Sequence, residues 1–215
     1  MLAIFKREFK SYFQNVIGWL FVAALLAVYG LYFYVYNLKN GYPYISYDLN
    51  GIGFIMMIAV PILTMRSLSD EKKTKTDQLM LTSPVSVGKI VAGKYFAMAA
   101  VYTIDIALFA LSPLVLSIYG KVALSEAYVA LFGYWLYGLS CIAVGIFISS
   151  ISESVIISAI LTFTALFLSY MMQSITGLIS SSGNLLTKVL NCFDLYTPFE
   201  NFVSGCFSVT SAAYY

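Results

Sequence analysis

The sequence predicts an all-α polytopic membrane protein with an N-terminal interfacial helix and five visible transmembrane helices. Of its 215 residues, 60% are apolar and 17% aromatic, while only 10% are charged. Soluble domains carry roughly 25% charged residues. Five apolar stretches approach or exceed the roughly 20 residues that a spanning helix needs. Six of the twelve basic residues fall in residues 65–94, which run from the end of the second stretch to the start of the third and which we call the charged segment.

The first element, residues 1–14, has the pattern of a helix that lies in the headgroup plane. Its apolar residues recur at helical spacing, and its cations can occupy the other side, near anionic lipid. These residues are Leu2, Phe5, Phe9 and Phe13, and Lys6, Arg7 and Lys10. A signal peptide is the alternative, but the next apolar run is longer than a signal core and lacks an A-x-A-like cleavage site.

The five predicted spans follow in order along the chain. They cover residues 16–37, 50–65, 90–119, 127–149 and 155–172. The second is short, and residues 44–49 could extend it. A tight turn at 150–154 separates the last two spans, and Pro61 and Pro113 are expected to kink the second and third.

Orientation follows from the basic residues, because cytoplasmic loops are enriched in lysine and arginine. With a cytoplasmic N-terminus, nine basic residues lie inside and three, Lys39, Lys121 and Lys188, lie outside. This bias predicts a multi-pass protein of the cell inner (cytoplasmic) membrane. It places the charged segment in the cytoplasm and the region after the fifth span outside.

Residues 173–205 contain two apolar-periodic pieces that are too short to cross a bilayer. They predict an extracytoplasmic re-entrant or surface-lying segment, with an ordinary loop as the alternative. Cys192 and Cys206 lie in this region and could pair in an oxidising compartment, or remain two unpaired small residues.

Several classes of function are excluded or disfavoured by what the sequence lacks. It has no histidine and only three cysteines, which show no metal-ligand spacing, so catalysis and a metal or other cofactor are not expected. A net charge of +2 without a basic stripe argues against nucleic-acid binding. No G-x-x-x-x-G-K-[ST] loop occurs, so a nucleotide site would have to come from a partner.

Within the charged segment, residues 67–86 predict a short cytoplasmic helix. Residues 67–70 and 74–77 both resemble helix starts, in which a hydroxyl caps free N–H groups and an acid follows. Pro84 should end the helix, and Ser86 can cap the next span. An apolar tip at residues 79–81 could insert into a partner. The alternative is a plain loop that only sets topology.

Two segments of the chain resemble a known family. Residues 71–86, EKKTKTDQLMLTSPVS, are similar to the pattern T-x-E-x-L-L-x-[ST]-P-[VI]-[ST] of ABC-type exporter permeases, most closely the gliding-motility and copper-maturation group. Asp77 replaces the usual glutamate, and Lys75 stands where glycine is frequent. The likeness continues through residues 93–95. Residues 194–202, DLYTPFENF, resemble the family segment that precedes the last span.

The resemblance implies a six-helix permease half, with its sixth helix beyond Tyr215, that pairs with an identical or related permease. A separate cytoplasmic ABC ATPase subunit would drive it and would receive residues 67–86 as a coupling helix. A second, smaller contact is implied near Ser152 and Glu153. The residues expected to carry the coupling are Glu71, Lys72, Lys75, Thr76, Asp77, Leu79, Met80, Leu81 and Pro84.

Asp105 stands well inside the third predicted span, where an ionised carboxylate is costly unless it meets a partner or water. One interpretation places it on a pathway wall or dimer interface. The other is a protonated, locally satisfied aspartate. Tyr102, three residues earlier, could donate a hydrogen bond to it.

Together with the five spans, the resemblance implies a single transmembrane permease domain over residues 1–215, serving an ATP-driven exporter. The alternative is a non-transporting scaffold of a motility or secretion complex that docks a cytoplasmic ATPase. A secondary transporter would need more intramembrane acids than Asp105, or an internal repeat.

Overall fold

In the computed structural model, residues 2–76, 86–120, 122–179, 193–205 and 207–215 are described, and they are organised as a bundle of helices. The order along the chain is α1 (Leu2–Gln14), α2 (Val16–Phe33), a π-helix (Tyr34–Lys39), α3 (Ser46–Thr64), α4 (Ser69–Lys73), α5 (Val87–Phe109), α6 (Ser112–Tyr119), α7 (Leu124–Ile151), α8 (Val155–Ile179), α9 (Thr197–Val203) and α10 (Val209–Tyr214).

The predicted all-α membrane fold is confirmed. Within the described residues, five helical stretches are long and apolar enough to cross a membrane, and we number them spans 1 to 5. They are Val16–Lys39, Ser46–Lys73, Val87–Tyr119, Leu124–Ile151 and Val155–Met172. Span 2 begins at Ser46, so residues before 50 do extend it. The turn between spans 4 and 5 lies at residues 152–154, as predicted.

Spans 1 and 3 depart from regular α-helix near the same end of the bundle. Span 1 finishes in the π-helix, and span 3 breaks between α5 and α6 at Ala110 and Leu111. Pro113 lies in the first turn of α6, where its missing N–H would have had no intrahelical acceptor. The break therefore falls where the proline predicted a kink.

Span 2 is the centre of the bundle. It packs against α2, α7, α8 and α9. Its side chains at helical spacing are fully buried, among them Leu49, Ile52, Met56, Val60 and Leu63. Spans 1 and 5 leave broad apolar faces exposed, which is the expected appearance of helices that meet lipid or another helix.

Small residues set how closely span 4 approaches its neighbours. A Cβ added at Gly138 would overlap the ring of Tyr102 from span 3, and one at Gly133 would overlap Phe202 from α9. These glycines therefore allow span 4 and its neighbours to approach closely.

The N-terminal helix forms over nearly the predicted residues and packs along α5. Its aromatic row continues from Phe5 through Phe9 and Phe13 to Trp19, with successive ring centroids 5.8, 5.0 and 5.4 Å apart. No side chain in α1 is fully buried, so the helix lies on the outside of the bundle.

The region after span 5 is described only in part. Residues 180–192 lie outside the described residues, as does Cys206, so the predicted re-entrant piece and the cysteine pair are not tested. The described remainder forms α9 and α10, which pack on one another, and α9 also packs on α7 and α3.

Candidate functional site

The charged segment begins with a turn at residues 65–68 and the short helix α4. Asp70 and Glu71 occupy its first turn, and Lys72 and Lys73 its last, which suits the helix dipole at both ends. We call the end of the bundle that carries α4 the charged end.

The start of α4 is capped by another span. The hydroxyl oxygen of Ser149, near the end of span 4, accepts hydrogen bonds from the backbone N–H of Leu68 at 3.1 Å and of Ser69 at 3.2 Å. The prediction that Ser67 supplies the cap is wrong, since its buried hydroxyl has no partner among the described residues. The Lys72 ammonium donates to the carbonyl of Ser150, again in span 4.

A buried lysine joins α4 to span 3. The Lys94 side chain is only 2% exposed, and its ammonium lies 2.7 Å from Glu71 Oε1 and 3.3 Å from Glu8 Oε1 of α1. It also donates to the Ser67 carbonyl at 2.9 Å. Three acceptors, one from α1 and two from the charged segment, therefore satisfy the three N–H groups of one ammonium.

Arg7 and Tyr12 extend this cluster along α1. Arg7 Nη2 lies 2.7 Å from Glu8 Oε1 and 3.8 Å from Glu71 Oε1. Burial raises the pKa of the Tyr12 phenol above its ordinary value, and the nearby carboxylates of Glu8 and Glu71 raise it further. Tyr12 is thus a neutral hydroxyl at physiological pH, and the charges of the cluster are carried by the carboxylates and cations around it.

Helix α4 ends abruptly after Lys73. The Thr74 hydroxyl donates to the Asp70 carbonyl at 2.8 Å, and the Thr76 N–H donates to the Glu71 carbonyl at 3.0 Å. Lys75 has a φ of 57°, in the left-handed region that favours glycine. This conformation gives a physical reason why glycine is frequent at this position in the permease family that the segment resembles. The predicted second helix start at residues 74–77 is a turn in its described part, 74–76.

The described coupling residues divide into two groups. The side chains of Glu71 and Lys72 bond to other elements of the bundle, whereas Lys75 and Thr76 are exposed and their N–H groups bond within residues 71–76. Asp77, Leu79, Met80, Leu81 and Pro84 lie outside the described residues. Contact of any of them with a partner stays a prediction. Span 3 begins at Val87, and Ser86 is its N-cap residue but makes no side-chain cap hydrogen bond.

The implied second contact lies beside the first. The turn at residues 152–154 follows Ser149 and Ser150, and α4 packs against both α7 and α8. Glu153 is exposed there, while Ser152 is buried. The two segments therefore form one continuous surface at the charged end.

Asp105 and Tyr102 are both fully buried within the single chain. The Tyr102 hydroxyl donates to the Tyr134 carbonyl at 2.6 Å, so the predicted hydrogen bond to Asp105 is not formed. Neither carboxylate oxygen of Asp105 has a hydrogen-bond partner among the described residues. The prediction that Tyr102 satisfies Asp105 with a hydrogen bond is therefore wrong. A role of Asp105 in a pathway or interface stays a prediction.

The second family-like segment folds against the opposite end of the bundle. Asp194 Oδ1 accepts the N–H groups of Tyr196 and Thr197, each at 3.0 Å, and so starts α9. Ser169 of span 5 accepts the Leu195 N–H at 2.9 Å. Phe199 and Phe202 are fully buried, which fixes α9 on span 4.

The sequence interpretation missed Lys94, Glu8 and Ser149 as members of the site. A signal for Lys94 was present, because a lysine inside an apolar span requires an acidic or carbonyl partner. Ser149 gave no comparable signal, since a serine near a helix end is common and its neighbour in space is 80 residues away in sequence.

Comparison with known proteins identifies a family. A family model described as "ABC-2 family transporter protein" matches residues 31–212, which is most of the chain. No curated protein and no solved structure matches it. The nearer likeness to gliding-motility and copper-maturation permeases stays a prediction. The chain belongs to the ABC-2 transporter family, and is therefore a multi-pass transmembrane component of an ABC transporter that works with an ABC ATPase.

Proposed function

We propose that the chain is the permease subunit of an ATP-driven exporter, and that the charged segment couples it to a separate ATPase subunit. The observation that carries this proposal is the attachment of α4 to three parts of the bundle. Lys94 ties it to span 3 and α1, and Ser149 and Ser150 tie it to span 4.

This attachment supports a mechanical role for the segment. A loop that only set topology would need no buried ion pair and no cap from another span. Because packed helices resist deformation, displacement of α4 by a partner would move spans 3 and 4 along with span 2, from which it continues.

The working unit in this proposal contains two permease chains and two ATPase subunits, with the charged end in the cytoplasm of the cell. ATP binding would close the ATPase pair, push α4 and the residues after it, and rearrange the path between the permease chains. The exposed apolar faces of spans 1 and 5 offer surface for the second permease.

Affinity purification in mild detergent, followed by an ATPase assay on the recovered material, tests the proposal. We expect a nucleotide-binding subunit to co-purify with the wild-type chain. It should be lost from the variant Leu79→Asp/Leu81→Asp, because two carboxylates would abolish insertion of an apolar tip. The control Tyr42→Asp/Tyr44→Asp introduces the same number of carboxylates at exposed positions outside the five spans and the charged segment, and should retain the subunit.

A purification that recovers the folded chain without any ATPase would overturn the proposal. Retention of the ATPase by the Leu79→Asp/Leu81→Asp variant would show that the charged segment is not the docking element. Transport measurements in proteoliposomes distinguish the exporter hypothesis from the scaffold hypothesis. ATP-dependent movement of a substrate is expected of the exporter, whereas ATPase docking without transport would favour the scaffold.

A further inference from the structure

A polar cavity of about 490 Å³ opens at the charged end between α1, the start of α2 and the root of the charged segment. Asn15 and Ile17 form its wall where span 1 begins, and Arg66 and Ser67 form it where α3 has ended. The cavity therefore lies at the depth at which spans leave the hydrocarbon, which is the depth of lipid headgroups. Its volume is within the range of small-molecule sites, roughly 300–1,000 Å³.

The charges around the cavity balance. Three cations and three carboxylates line it: Arg7, Arg66, Lys94, Glu8, Asp70 and Glu71. Four of them neutralise one another in the ion pairs of Lys94 and Arg7. The side chains of Arg66 and Asp70 have no hydrogen bond or ion pair among the described residues.

Arg66 and Asp70 are four residues apart, a spacing that would bring them together on a continuous helix. The turn at 65–68 interrupts the helix between them, so guanidinium and carboxylate face the same cavity without forming a salt bridge. Among the residues that the structure describes, one unpaired cation and one unpaired anion in a single cavity match a ligand that carries both charges.

A guanidinium pairs with phosphate through two parallel N–H donors, and a carboxylate accepts hydrogen bonds from a primary ammonium. At headgroup depth, the ligand that bears both groups is a phospholipid with a primary amine. We propose that this cavity binds the headgroup of a zwitterionic aminophospholipid, with its phosphate on Arg66 and its ammonium on Asp70. A purely anionic headgroup would fit less well, because the cavity has no net positive charge.

Lipid titration of the purified, delipidated chain by native mass spectrometry tests this site without any ATPase. The probes are phosphatidylethanolamine, phosphatidylcholine and phosphatidylglycerol with identical acyl chains. We expect phosphatidylethanolamine to bind about tenfold more tightly than the other two, as one charge-assisted hydrogen-bonded pair would give. Soluble glycerophosphoethanolamine should compete, which would separate headgroup binding from acyl-chain binding.

Two variants separate the two halves of the ligand. Arg66→Gln should weaken binding of all three phosphate-bearing lipids about tenfold, whereas Asp70→Asn should remove only the preference for the primary amine. Lys89→Gln and Glu153→Gln make matched charge changes at exposed positions of the charged end outside the cavity, and should bind like the wild type.

Equal binding of the three lipids by the wild type would overturn the proposal, as would a preference for phosphatidylglycerol, which would indicate an anionic-lipid surface. An unchanged preference in an Asp70→Asn variant that melts like the wild type would also overturn it. Failure of these tests would leave the coupling proposal untouched, because these tests measure lipid binding without any ATPase, whereas the coupling proposal is tested by ATPase recovery in the Leu79→Asp/Leu81→Asp variant.

Discussion

Replacement of Lys94 by methionine tests the junction between the charged segment and the bundle. Methionine keeps the length and the apolar stem of the side chain but removes the ammonium. The change leaves Glu8 and Glu71 without their shared cation, with only Arg7 of the described cluster to offset them. We expect both the stability of the bundle and the position of α4 to suffer.

The magnitude follows from the geometry. Removal of one partner from a buried ion pair costs about 3–5 kcal/mol. The side chains of Glu8 and Glu71 are 16% and 17% exposed, so water can partly solvate their carboxylates once the ammonium is gone. We therefore expect the free energy of unfolding to fall by about 2–3 kcal/mol.

The assay is unfolding by SDS titration in mixed micelles, followed by tryptophan fluorescence. Lys89→Met is the matched control, because Lys89 is exposed on the same helix and should change stability by about 0.5 kcal/mol or less. The double variant Lys94→Met/Glu71→Gln should recover about 1–2 kcal/mol relative to the sum of the single changes. A Lys94→Met variant as stable as the wild type, or strict additivity in the double variant, would refute the reasoning.

Three further predictions use the same stability assay or the ATPase assay. Ser149→Ala removes the cap of α4 and should lower the free energy of unfolding by about 1 kcal/mol. It should also reduce the stimulation of the ATPase by the permease that co-purifies with it, and unchanged stimulation would contradict the role of the cap. Gly138→Ala should destabilise the chain by about 1–3 kcal/mol because its methyl group would overlap the Tyr102 ring, whereas Gly30→Ala, with open space around it, should be neutral or stabilising. Lys75→Gly should be more stable than Lys75→Ala by about 1 kcal/mol, because only glycine accepts the left-handed backbone without cost; equal stabilities would argue against that conformation.

Much of the fold could be predicted because membrane spans are local features. Their length and composition respond to one physical requirement, the burial of backbone hydrogen bonds in hydrocarbon, which can be recognised in about 20 successive residues. The N-terminal helix and the break at Pro113 follow from equally local rules.

The site was predictable only in part. Residues 67–86 were predicted to form a short helix between two spans; of the described residues 67–76, Ser69–Lys73 are helical and 74–76 form a turn. The partners of that helix were not identified, because Glu8, Lys94 and Ser149 are separated from it by 20 to 80 residues along the chain. Sequence spacing carries no information about such contacts.

By itself, the sequence determined that this chain spans a membrane repeatedly, that it lacks a phosphate-binding loop of its own, and that one charged segment interrupts its spans. Tertiary structure decided what that segment is attached to. A lysine buried among apolar helices must find its acceptors wherever the packing brings them, and here the packing brings α1, α4 and span 3 to one ammonium. The attachment of the charged segment to the bundle is thus a property of the fold, since an unpaired ammonium in that position would be too costly to bury.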